Sequence, residues 1–274
     1  KDIDRVRGLL EKTAQLEFYQ THYAGDALNY LIGANETLRG LVASNEEKQE
    51  AAVAQDSTLD DNVSDLLKDA DEEEAEQDFG PLFKIFSPNQ QAVQNSTIPT
   101  VGFAAVKDTA TINSYLRNPS VVKQRPASLR YAKFAWGVPE EGADIVALYA
   151  LESNRQGAPY MDGDVVNDSR QQFTQTQQPA VGLDFEGQGV NQWAKMTREV
   201  AQKGNAIAIA LDGNVYSAAS ARQEIKGGAT EISGNFTVAA AQDLATVLNA
   251  GRLPASAKII QAEEIGPSLG KEAI

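Results

Sequence analysis

A few stretches of the chain place residue types together in ways that chemistry uses. Gly187-Gln188-Gly189 follows a strand-like run and opens a helical one, and Asp212 closes the strand after it. Glycines at a helix entry let the backbone approach a pyrophosphate, and an acid one strand further on can hold a ribose. Here the third glycine of that fingerprint is Gln192, too bulky for close helix–sheet contact, and Asp212 runs directly into Gly213 as a tight turn. The run is therefore expected to be a pair of ordinary helix-entry glycines. His22 is the single histidine, and as a general base it would need a nucleophile and an orienting acid beside it. Asp162-Gly163-Asp164 with Asn167 and Asp168 offers oxygen ligands for a hard cation, but a turn leading into a helix accounts for the same letters. Glu263 and Glu264 are neighbours on a strand-like run, so their carboxylates point to opposite faces and cannot act as a pair. Lys226-Gly227-Gly228 is too short for a phosphate loop and lacks the Gly-Lys-Ser/Thr ending. Phe134, Trp136, Trp193 and Met196 are candidate apolar contacts for a ligand, with core packing the expected fate of each.

Composition narrows the field further. The 274 residues carry a formal net charge of −14 and contain no Cys. Disulfide frameworks, thiolate nucleophiles, zinc fingers and iron–sulfur clusters are excluded, as are two-His metal motifs. An acidic chain is a poor partner for nucleic-acid phosphates. The acidity is local: residues 44–78 hold fourteen acids against Lys48 and Lys68, which leaves the other 239 residues at −2. Within that arm Leu59, Val63, Leu66, Leu67 and Ala70 form one helical stripe backed by acids. The Asp69–Asp78 run lacks the glycine and alternation of a calcium loop, so a solvated acidic arm is expected. No apolar run approaches the roughly 20 residues a bilayer span requires. The chain opens at Lys1 without Met and reads as a processed chain or an excised fragment.

The elements that must position these residues follow from periodicity. A short helix is expected over 2–12, then a strand over Leu16–Gln20. A helical stretch runs through Leu28, Leu31 and Ile32, punctuated by Gly25 and Gly33. Strands are expected at Thr100–Val106 and Ala132–Trp136, and a buried one at Ile145–Leu151. Val181, Leu183 and Phe185 alternate as a half-buried strand, and Val190, Trp193, Ala194, Thr197, Val200 and Ala201 form a helical stripe. Ala206–Leu211 and Val215–Ala218 flank Asp212-Gly213, a hairpin signal. Thr237 is placed to cap a helix with Val238, Ala241, Leu244, Ala245 and Leu248 inward, closed by Gly251, with Pro254 preventing continuation. Lys258–Ile265 is a final strand. Strands and helices intermix without strict alternation, which indicates an α+β fold.

Several of these stretches, in this order, resemble the first large periplasmic domain of the SecD/SecDF family, the bacterial accessory subunit of the Sec translocon. They are Lys12–Phe18 (KTAQLEF), Pro179–Phe185 (PAVGLDF), Ala206–Ser217 (AIAIALDGNVYS), Glu231–Val238 (EISGNFTV), Leu244–Pro254 (LATVLNAGRLP) and Ile265–Gly270 (IGPSLG). The likeness covers about residues 1–20 and 158–274. Between about 25 and 157 the chain departs from the pattern as a family-atypical insertion. The resemblance implies two lobes: a partial ferredoxin-like base at 1–22 and 255–274, and a head at 23–254 with a mixed sheet, helices and the acidic arm.

It further implies a domain on the periplasmic side of the bacterial inner membrane. That domain would capture unfolded preprotein and move relative to its base, aiding translocation driven by the proton-motive force. The implied partners are the preprotein, the Sec translocon channel and a SecF-like subunit, with membrane contact only through flanking helices. No cofactor, metal or catalytic residue is implied. The expected crossings between lobes fall at Tyr23–Gly25 and Gly251–Pro254, which marks Tyr23, Gly25, Gly251, Leu253 and Pro254 as hinge candidates. Two alternatives compete: a cell-envelope binding module without a motor role, and a carboxylate-dependent hydrolase.

Overall fold

The computed structural model describes residues 15–54, 79–95, 97–139, 142–233 and 236–251. The expected helix at 2–12, the arm's stripe from Leu59 to Ala70, the strand at Lys258–Ile265 and Glu263-Glu264 lie outside them. The chain divides into two compact units, Thr21–Arg155 and the remainder, 1–20 with 156–274.

Strand β1 (Leu16–Gln20) opens the described chain and belongs to the second of these. In the unit Thr21–Arg155, helix α1 (Ala24–Ala54) is followed by strands β2 (Phe86–Pro88) and β3 (Thr100–Ala105), helix α2 (Thr109–Arg117), and strands β4 (Lys133–Trp136) and β5 (Ile145–Leu151). Ala24, Ala27, Leu28, Leu31, Ala34 and Leu38 recur at helical spacing and are buried, so α1 forms around one apolar face. Gly33 lies inside this helix instead of interrupting it. The strands form an antiparallel sheet ordered β2-β3-β5-β4, and α1, α2 and the inner sheet face share one core. Leu148 and Ala150 of β5 enter that core. Val146 and Leu151 are also buried, Ala147 and Tyr149 partly so, and only Ile145, at 59%, is exposed, so the strand is buried over most of its length, as its unbroken apolar run suggested.

The other unit contains β1, β6 (Met161–Asp162), β7 (Val166–Phe173), β8 (Pro179–Phe185), helix α3 (Gln188–Lys203), β9 (Ile207–Leu211), β10 (Asn214–Ala219), β11 (Ala229–Ser233) and helix α4 (Val238–Gly251). Its strands make two sheets, ordered β10-β9-β1-β6 and β11-β8-β7. Every strand pair among the described residues is antiparallel, which replaces the expected mixed sheet. The reason is local: β7–β8 and β9–β10 are joined by short turns, and only antiparallel neighbours can be. Asp212 (φ 49°) and Gly213 (φ 81°) make the β9–β10 turn with both residues left-handed, as a primed hairpin turn requires. Asp212 also receives the Gln15 backbone N–H on Oδ1 at 2.9 Å.

Strand β1 lies between β9 and β6, with Phe18 opposite Ile209. It therefore shares a sheet with β6, β9 and β10, whereas residues 1–22 were expected in a lobe apart from 23–254. Packing explains the difference. Leu16 and Phe18 point into a core containing Val181, Leu183, Phe185, Trp193 and Met196. The Phe18 ring meets Phe185 at 5.8 Å and Trp193 at 6.0 Å, both edge-on, and Phe185 stacks on Trp193 at 4.7 Å. Fully burying such side chains contributes about 1.5–3 kcal/mol each. Thr237 caps α4 through the Ala240 N–H at 3.1 Å, and α4 packs its Leu244 and Leu248 face on β7 and β8.

Candidate functional site

None of the motifs read for small-molecule chemistry assembles a reaction centre among the described residues. A dinucleotide site needs β8, α3 and β9 as a parallel unit of one sheet, yet β8 and β9 belong to different antiparallel sheets. Gly189 is explained by packing, since a Cβ there would sit 2.6 Å from Val165 Cβ. Asp162 pairs with Glu17 across β6 and β1, and no three acidic or His side chains among the described residues cluster as a metal site. Lys226 lies 3.7 Å from Glu224, and Gly228 accepts the Phe185 N–H through its carbonyl at 2.6 Å, so that run is the approach to β11. His22 donates its backbone N–H to Ala150 O at 2.8 Å, beside the isolated bridge of Thr21 to Leu151.

The candidate apolar contacts go to cores, as expected. Trp193 and Met196 are buried. Phe134 stacks with Tyr30 at 6.0 Å, with the Arg125 guanidinium 5.6 Å from both rings. Trp136 Nε1 donates to Asn113 Oδ1 at 3.1 Å. Beside Tyr30 a cavity of about 400 Å³ opens, edged by Asp26, Asn29, Gln124 and Ser128. The amides, the Ser128 hydroxyl and the Asp26 carboxylate there can hold a polar group.

The chain passes between the units at Gln20/Thr21 and at Arg155/Gln156. Within the unit that contains α3, one carboxylate ties residue 20 to residue 160. Glu199 accepts from Gln20 Nε2 at 2.7 Å and from the Tyr160 hydroxyl at 3.2 Å. Lys203 Nζ donates to Gln20 Oε1 at 2.8 Å, and Tyr160 N–H donates to Phe18 O at 2.9 Å. Burial, then the Glu199 charge, pushes the Tyr160 phenol up to about 12, so it stays a neutral donor across the physiological range. Charge-assisted bonds of this kind are roughly twice as strong as neutral ones. On the other side of the first passage, Thr21 bridges to Leu151.

Of the expected hinge positions, Tyr23 and Gly25 fall just past the first passage, Gly25 already inside α1. Gly251 is the last residue of α4, while Leu253 and Pro254 lie outside the described residues. The two compact units are joined at Gln20/Thr21 and Arg155/Gln156, and the expected crossing at Gly251–Pro254 runs on into residues outside the described ones. Glu199, Gln20, Tyr160 and Lys203 were not singled out in the sequence. Lys195, Glu199 and Lys203 recur at i, i+4 spacing on the polar side of α3, which is the only local signal for them.

Comparison with known proteins supplies the context. Residues 147–255 match the family described as SecDF, P1 head subdomain. The protein translocase subunit SecD of Rhodothermus marinus is 32% identical over 278 residues, covering all of this chain and 42% of that protein. That match includes residues 25–157, so this relative has a counterpart of the segment expected to be atypical. The protein translocase subunit SecDF of Thermus thermophilus is 39% identical over 118 residues, 43% of this chain and 16% of its own length. A crystal structure of SecDF in the super-membrane-facing form aligns over 95% of this chain and 22% of its own, at 21% identity and a TM-score of 0.40. The chain thus spans about two fifths or less of each of these proteins.

Proposed function

Because the chain belongs to the SecD/SecDF family of protein-translocase subunits, we propose that it is the periplasmic part of an inner-membrane component that holds unfolded preprotein during export and swings as it does so. The observation that supports this reading most is mechanical. Two compact units are joined by two covalent passages, and within one unit Glu199 ties residue 20 to residue 160. Few chain crossings between separately cored units favour relative motion. In this reading the backbone bends at Tyr23 and Gly25 beside the first passage and at Gly157, whose φ is 78°, beside the second. The proton-motive force, the Sec channel and a SecF-like partner act through the rest of the full-length protein.

The native chain has no Cys, which makes a clean test possible. In the full-length protein, with any other cysteines removed, one cysteine pair is introduced to tether the two units. Oxidation is expected to stop export, and a reductant to restore it, with folding unchanged by circular dichroism. Export that continues with the tether closed refutes the swing and leaves a binding module without a motor role.

A further inference from the structure

A sheet edge exposes unpaired N–H and C=O groups, and natural proteins blunt such edges with bulges, prolines, lysines, short strands or covering elements. The described sheets have six edges, and five are blunted. β10 carries a register shift between Val215 and Ser217, and β6 is two residues long. β2 is three residues ending in Pro88, and β4 is four residues beginning with Lys133. β7 is stitched shut. The Asn249 carboxamide accepts the Ser169 N–H at 3.0 Å and donates to Ser169 O at 2.6 Å, in place of a neighbouring strand.

The sixth edge is β11, Ala229–Ser233. It matches β8 residue for residue over five positions without a shift, and contains no Pro or Lys. It is also held rigid. Ile232 is buried, and the Ile225 N–H donates to Thr197 Oγ1 on α3 at 2.9 Å. Arg198 on α3 pairs with Glu224, and Gly228 is tied to Phe185 at 2.6 Å. Glu231, the one charge on the strand, turns to the solvent face and accepts from Gln172 Nε2 at 2.9 Å, so it does not guard the edge.

We infer that the outer edge of β11 is a docking site for an extended polypeptide segment, added as a fourth strand to the β11-β8-β7 sheet. Resting on the export reading above, the segment is unfolded preprotein. Main-chain hydrogen bonds supply the affinity, and they are indifferent to most of the client's sequence. The charge on the strand argues against a second copy as occupant. Two β11 strands paired antiparallel about their centre would set Glu231 opposite Glu231, and like charges directly opposite are destabilising. The same carboxylate favours a segment that places a basic side chain across from it.

The test uses this chain and a labelled peptide of alternating Thr and Val with one central Lys, read by fluorescence anisotropy. Only alternate residues of an added strand bond to the edge. N-methylation of one alternate set should weaken binding by about tenfold or more, and of the other set hardly at all. Glu231→Lys should weaken it about two- to fivefold. Absent binding, or equal loss with both methylated sets, overturns the proposal. A dimer of the chain that the peptide dissociates overturns it in favour of a second copy. Export by full-length protein carrying Glu231→Lys separates the two levels. Weakened peptide binding with unchanged export removes preprotein as the occupant, while a failed tether experiment with peptide binding intact removes the swing alone.

Discussion

Replacing Phe18 by Ala tests whether β1 belongs to the core that contains Trp193. The ring is fully buried and has two edge-on aromatic neighbours at 5.8 and 6.0 Å. Removing a buried aromatic costs about 3–5 kcal/mol, and the two ring contacts put this site near the top of that range. With a urea slope of about 2 kcal/mol per M, the midpoint should fall by about 2.5 M. The protein has two tryptophans, and each reports on a different unit. With Trp136→Phe as background, Trp193 follows the unit containing β1; with Trp193→Phe, Trp136 follows Thr21–Arg155. Phe18→Ala should move the Trp193 transition by the full amount and the Trp136 transition by a small fraction of it. Equal shifts in both, or a shift confined to Trp136, would refute the assignment of β1.

Gly80→Ala should destabilise Thr21–Arg155 by about 1–3 kcal/mol, read as a lower Trp136 midpoint. Gly80 sits at φ 71° with its would-be Cβ 2.5 Å from Asn35 Nδ2, and Asn35 holds Phe79 O at 2.8 Å and Leu82 N–H at 3.0 Å. Asn249→Ala should unseal β7, costing about 1–3 kcal/mol for the polar groups left at Ser169 and accelerating amide exchange at Ser169. Tyr160 has its folded pKa raised to about 12 from 10.0, by burial and then by Glu199. Its contribution to stability is complete below pH 10 and is lost as the pH rises from 10 through about 12, since the unfolded phenol ionises first. Tyr160→Phe should flatten that alkaline limb of the stability profile, measured by urea midpoints across the range.

Local periodicity carried the individual elements well. Leu16–Gln20, Thr100–Ala105, the Asp212-Gly213 hairpin and the Thr237-capped helix are all short-range patterns, and the structure contains each. Where the pattern misled, the cause was a neighbour distant in sequence. An apolar run such as Ile145–Leu151 does not say where its burial begins, and here Ile145 is exposed while the rest is wholly or partly buried. Gly33 reads as punctuation, yet the packing of Leu28, Leu31 and Leu38 carries α1 through it. Met196 fell outside the stripe drawn for α3 and is nonetheless fully buried. The Glu199 clamp joins residues 20, 160 and 199, and the Asn249 stitch joins 169 and 249. No spacing rule links such positions before the sheets are known. Among the described residues, β11 stands apart from the five blunted edges only once the sheets are assembled.

The placement of β1 has a consequence for how the molecule comes into being. Phe18 faces Ile209, 191 positions later in the chain, whereas Thr21–Arg155 is continuous and can collapse once its own residues have emerged. At a synthesis rate of about 5–20 residues per second, the first strand waits roughly 10–40 s for its partner. Closing so long a loop before its contacts form is the slow kind of assembly. The unit with the longer memory is therefore predicted to be the last to fold and the more dependent on holdase chaperones while Leu16 and Phe18 remain unpaired.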